Sequence, residues 1–125
     1  MNTSIREYLR FEPVNTGLRS DGKPFLGEPY GIMVAELHNG SIRFGWSLTH
    51  EKDMERNAYD KNKGLMIAMR RLEAFKPNSD IVVPNDMYYA MQNFVLKSKR
   101  YFHIDCNTNV LNGFELSLIS KHIIE

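Results

Sequence analysis

The sequence predicts an α+β domain: an antiparallel β-sheet built on a hairpin at Asn39-Gly40, with two helices packed on one face. Three observations carry that prediction. Asn39-Gly40, the pair favoured in a two-residue type I′ turn, lies at the pivot of two alternating runs, IMVAELH and SIRFGWS. Leu65, Ala68, Met69, Leu72 and Phe75 then recur at the spacing of a helix with one apolar stripe. Met87, Met91, Phe94 and Val95 repeat that spacing in a second segment.

A two-residue turn fixes the hairpin register. His38 faces Ser41, Leu37 faces Ile42, Glu36 faces Arg43, Ala35 faces Phe44 and Met33 faces Trp46. One face then carries Met33, Ala35, Leu37, Ile42, Phe44 and Trp46. The other pairs Glu36 with Arg43, a favourable cross-strand contact.

The remaining elements follow in order. Residues 1–31 read as a loop-rich segment. Within it, an edge strand or irregular stretch is preferred to the alternative, a short helix capped by Ser4 or Thr3 and bearing Ile5, Tyr8 and Leu9. Turn residues crowd positions 15–31, among them Gly17, Ser20-Asp21-Gly22, Pro24, Gly27 and Pro29. The hairpin spans 32–48, and a charged, aperiodic stretch runs from Thr49 to Ala58. The first helix covers about residues 60–75; its Gly64 and Ala68 form a shallow ridge where another element can approach closely. Lys76-Pro77-Asn78 ends it, because proline cannot continue the helical ladder. The apolar run Ile81-Val82-Val83 leads through Pro84-Asn85-Asp86 into the second helix, about 85–100. Lys97, Lys99 and Arg100 gather in its last turn, where the helix dipole favours cations. Residues 103–125 form a C-terminal strand or helix. Asn112-Gly113 reads either as a turn before alternating Phe114, Leu116 and Leu118, or as the cap of a helix lined by Leu116, Ile119 and Ile123.

At 125 residues the chain fits a single domain. Its net charge of +1 offers no global field for nucleic acid, so single-stranded nucleic-acid binding is disfavoured. No apolar run approaches the roughly 18 residues of a membrane span, and the polar start MNTSIREYLR lacks a signal-peptide core. One cysteine, Cys106, excludes an internal disulfide and a cysteine-based zinc site. The reading is a reduced, cytoplasmic protein.

Motifs for catalysis are sparse. Cys106 near His103 reads as a small apolar filler before it reads as a nucleophile. His38, His50, His103 and His122 lack metal-ligand spacing, and no phosphate-cradling glycine motif occurs. No catalytic residue, metal or cofactor is therefore expected, and a small hydrolase using His50 or Cys106 is the minority alternative.

What stands out is local positive charge. Between Arg56 and Lys76 there are six basic residues against two acidic ones. Arg56, Lys61, Lys63, Arg70 and Arg71 are candidates to hold phosphate, with Trp46 or Tyr59 available to stack a base. The competing explanation is a solvated polar face on which the arginines pair with nearby acids.

Gly45-Trp46-Ser47, then Asp53, then Tyr59-Asp60-Lys61-x-Lys63-Gly64-x-x-Ile67-Ala68-x-x-Arg71-Leu72 resembles a strand–loop–helix pattern of small bacteriophage accessory proteins. It is similar to the Thoeris anti-defence sponge family. That resemblance covers residues 45–72 and rests on Ser47, Lys61, Lys63, Gly64 and Arg71. It implies a non-catalytic, homo-oligomeric phage protein that sequesters a cyclic ADP-ribose-type nucleotide in the host cytoplasm. The leading expectation is thus a binder of an anionic nucleotide or nucleotide-derived signal without turnover. A host-takeover protein that inhibits a host protein is the alternative.

Overall fold

The computed structural model describes residues 3–11, 13, 17–49 and 60–113. Strands β1 (Ser4–Arg10), β2 (Pro29–His38) and β3 (Ser41–Leu48) form an antiparallel sheet in the order β1-β2-β3. Helix α1 (Lys61–Ala74) follows. Strand β4 (Ile81–Val83), a 3-10 turn (Asn85–Met87) and helix α2 (Tyr88–Phe102) come next, and β5 (Val110–Asn112) pairs parallel with β4 in a separate two-stranded sheet.

The hairpin register is the expected one throughout, from His38↔Ser41 to Met33↔Trp46. Asn39 and Gly40 both have positive φ, 51° and 78°, as a type I′ turn requires. Glu36 and Arg43 form an ion pair across the strands.

The α+β class, the antiparallel sheet and both helices are present, but the helices divide between the two faces of the sheet. Met33, Ala35, Ile42 and Phe44 pack with Met87 of the 3-10 turn and with Met91, Phe94 and Val95 of α2. Ile32 and Val34 pack with Ala68 and Leu72 of α1. The reason lies in β2: residues 31–35 are buried without a break, so both faces of its centre need cover.

The two faces close differently. Toward α2 the contact is made by large side chains, with Phe44 edge-on to Phe94 and to Phe75 at centroid separations of 6.5 and 5.6 Å. Toward α1 the small side-chain cluster of Ile32, Val34, Ala68 and Leu72 is joined, at β3, by a contact made by backbone. A Cβ on Gly45 would lie 2.1 Å from the Ala68 carbonyl oxygen and 2.8 Å from the Leu72 nitrogen. The small-residue ridge Gly64–Ala68 is what permits that approach, and all of Gly64, Ala68 and Leu72 are buried. Asp60 starts the helix: its carboxylate accepts from the backbone N–H groups of Asn62 and Lys63 at 2.9 and 3.2 Å.

Three boundaries differ from expectation. The N-terminal segment, read as loop-rich, contains β1, and β2 begins at Pro29 rather than Ile32. Ser4–Arg10 takes the preferred strand reading because β2 offers it an antiparallel partner, Ser4↔Glu36 through Arg10↔Pro29. The second helix starts with a 3-10 turn after Pro84 and runs on to Phe102, where His103 ends it in the left-handed region at φ 55°. Asn112 is no turn residue; it closes β5 opposite Val83. The competing readings of 114–125 lie outside the described residues.

Candidate functional site

An open groove of about 570 Å³ is lined by Trp46, Val82, Val83, Pro84, Asn85 and Gly113. Its walls come from β3, an edge strand of the larger sheet, and from β4 with the residues that follow it. Alternation along β3 decides which side chains face it. Trp46 shares the α2 side with Ile42 and Phe44, whereas Ser47 and Gly45 turn toward α1. On the opposite wall β4 buries Ile81 and Val83 and leaves Val82 half exposed. Pro84 then ends the strand and brings Asn85 to the rim. Among the described residues the groove is mainly apolar, with the Trp46 indole as an aromatic surface and the Asn85 amide as a hydrogen-bonding group.

Behind the indole stands Arg71. Its guanidinium carbon lies 4.0 Å from the Trp46 ring centroid, and Nη1 donates to the Trp46 carbonyl oxygen at 2.8 Å. The ladder explains why that carbonyl is available. Counting from the two-residue turn, hydrogen-bonded and non-hydrogen-bonded pairs alternate, so Met33↔Trp46 is non-hydrogen-bonded and the Trp46 carbonyl points out of the sheet edge. Arg71 reaches round from α1 on the other face, caps the exposed acceptor and lays its plane on the ring. Burial lowers the Arg71 pKa from its ordinary value, yet a guanidinium stays charged near neutrality.

The other expected site residues do not converge there. Lys61 sits at the opposite end of α1, its Nζ 5.2 Å from the Tyr8 ring centroid over β1, while Arg71 lies at the β3 edge. Ten residues of helix separate them, about 15 Å along the axis. Lys63 and Arg70 are exposed on α1 and form no ion pair with a described residue. Ser47 is 4% exposed beneath α1, and its Oγ has no hydrogen-bond partner among the described residues. Arg56 and Tyr59, like His50 and Asp53, lie outside the described residues. The structure therefore brings together Trp46 and Arg71 out of the expected set, and sets Trp46 across the groove from Val82, Pro84 and Asn85, which sequence reading did not single out as site residues. Only the apolar run 81–83 ending at Pro84 hinted at that second wall.

Cys106 is buried in the apolar cluster shared with α2, and its backbone N–H is tied to the Asp105 carboxylate at 2.9 Å. Lys99 also approaches Asp105, at 3.2 Å, and these contacts hold the Asp105 carboxyl below its ordinary pKa. Lys97 pairs with Glu7 of β1 at 3.2 Å, so two of the three cations in the last turns of α2 have acidic partners. Among the described residues no three His, Cys, Asp or Glu side chains form a metal-binding group, and no helix is long and apolar enough to cross a membrane.

No protein-family model, curated protein or solved structure matches the chain.

Proposed function

We propose that the chain binds, without chemical turnover, a small ligand that combines a planar ring with an anionic group, a nucleotide or nucleotide-derived signal being the principal class. The observation that carries this reading is the Trp46–Arg71 pair at the wall of a groove of about 570 Å³, a volume within the range of small-molecule sites. The ring stacks on the indole and fills the apolar groove, the Asn85 amide meets its polar edge, and the guanidinium supplies positive charge behind the stack. Among the described residues one cation, Arg71, backs the groove wall from behind Trp46 without lining it, which favours a single anionic group over a polyphosphate. The dispersed Lys61, Lys63 and Arg70 argue the same way. Sequestration of a host signalling nucleotide by a homo-oligomeric phage protein, as the resemblance over 45–72 implies, is the biological role that fits such binding.

The test is calorimetry against cyclic nucleotides, adenosine monophosphate and ADP-ribose derivatives, followed by mass analysis of the recovered ligand. Saturable binding with intact ligand is the expected result. Silence across the panel refutes the reading, and converted ligand replaces it with an enzyme.

A second reading, binding to a host protein or to another copy of the chain, is favoured by a separate observation. Tyr89 and Leu96 are 76% and 55% exposed, seven residues apart on one side of α2. Light scattering and capture from a bacterial lysate distinguish a homo-oligomer from a host complex. A monomer that captures nothing removes both.

A further inference from the structure

We infer that Arg71 is a positioning residue: its guanidinium fixes the Trp46 indole as a preformed wall of the groove instead of meeting the ligand itself. The inference rests on the proposed ligand site for its functional meaning, although the positioning can be read without any ligand. Two contacts converge on one residue. The guanidinium lies over the ring at 4.0 Å, and the same group donates to the backbone carbonyl of Trp46 at 2.8 Å. A side chain held at both its own ring and its own backbone has little rotamer freedom left. Arg71 does not line the groove, whereas Trp46 does.

The geometry behind Arg71 is equally constrained. Ala68, one turn earlier on α1, presses its carbonyl against Gly45, the residue before Trp46. The helix cannot slide along β3 without collision, so the reach from Arg71 to the indole is set by the closest backbone contact between helix and sheet. A planar, delocalised cation is required for this role. Lysine would keep the charge but could neither cover the ring nor hold the carbonyl and the ring face at once.

A preformed wall lowers the ordering cost of binding, because the indole need not be immobilised by the ligand. The ring face under the guanidinium is also unavailable, so Trp46 can offer only its remaining surface, and the groove accepts one ring in place of a sandwich.

The experiment compares the wild type with Arg71→Lys and Arg71→Gln, using the single tryptophan as reporter. At unchanged melting temperature, both variants should lose most of the near-UV circular dichroism of Trp46 and gain iodide quenching. Both should also bind adenosine monophosphate about fivefold more weakly, the size of one cation–π contact. An unchanged near-UV band in Arg71→Gln overturns the inference, and so does full affinity in Arg71→Lys, which would show that charge alone matters. If a variant fails to fold, nuclear Overhauser contacts between the Arg71 side chain and the Trp46 ring in the wild type decide the question: their presence supports the inference and their absence refutes it. If the wild type binds no adenosine monophosphate, the ligand reading suffers, while the near-UV band still judges Arg71.

Discussion

The two faces of the three-stranded sheet solve the same burial problem with opposite materials. Toward α2, Phe44, Phe94, Met87 and Met91 interdigitate, and all are at most 2% exposed. Toward α1, Gly45 meets the Ala68 carbonyl with no side chain between them. A face closed by large side chains loses stability when volume is removed. A face closed by backbone loses it when volume is added. The contrast also separates the surface features: the α1 face carries the exposed cations Lys63 and Arg70, and the α2 face carries the groove.

Substitutions that invert the materials sharpen the contrast. Phe44→Ala should cost the most, about 4 kcal/mol, because it leaves a cavity between two edge-on rings. Gly45→Ala adds one carbon, yet should cost about 3 kcal/mol, since its Cβ meets backbone that cannot rotate away. Urea denaturation of both variants measures the pair. A Gly45→Ala protein as stable as the wild type would mean that α1 is free to lift off the sheet. Asp60→Ala should cost about 1 kcal/mol through the lost cap of α1, with the α2 face unaffected in its hydrogen exchange.

The α2 face was the more legible in the sequence for a physical reason. Large apolar side chains at period two on β3 and at helical spacing on α2 announce their own burial, and Asn39-Gly40 fixes which strand positions meet. Gly64 and Ala68 announced a close approach but not its partner, because a glycine such as Gly45 leaves no pattern beyond its smallness. The alternation assigns the hairpin one apolar face and one polar face, so neither the burial of β2 on both faces nor the division of α1 and α2 between them was legible, since periodicity within an element says nothing about which neighbour covers it. The site divided the same way. Trp46 and Arg71 were both visible as candidates, but their mutual contact depends on an outward-pointing carbonyl at a sheet edge. The charge cluster looked single in the sequence because 15 Å of helix is only ten residues of text.

The smallest expected effect lies at the end of α2. Lys99 and the Cys106 N–H lower the Asp105 pKa, so its charged form is favoured in the folded chain. The sign follows: any stability from these contacts is present above the ordinary aspartate value and lost as pH falls through the lowered one. Lys99→Gln should move the Asp105 titration, followed by carboxyl-carbon NMR, back up toward the ordinary value. An unmoved titration would detach Asp105 from Lys99.

The measurement that discriminates most directly between the two faces is an amide and indole NMR titration of the wild-type protein with adenosine monophosphate. A ligand seated in the groove shifts the Trp46 indole N–H together with the amides of Val82, Val83 and Asn85, and leaves Lys63 and Arg70 in place. Shifts centred on Lys61, Lys63 and Arg70 with Trp46 unmoved would contradict the groove assignment and return the site to the basic surface of α1.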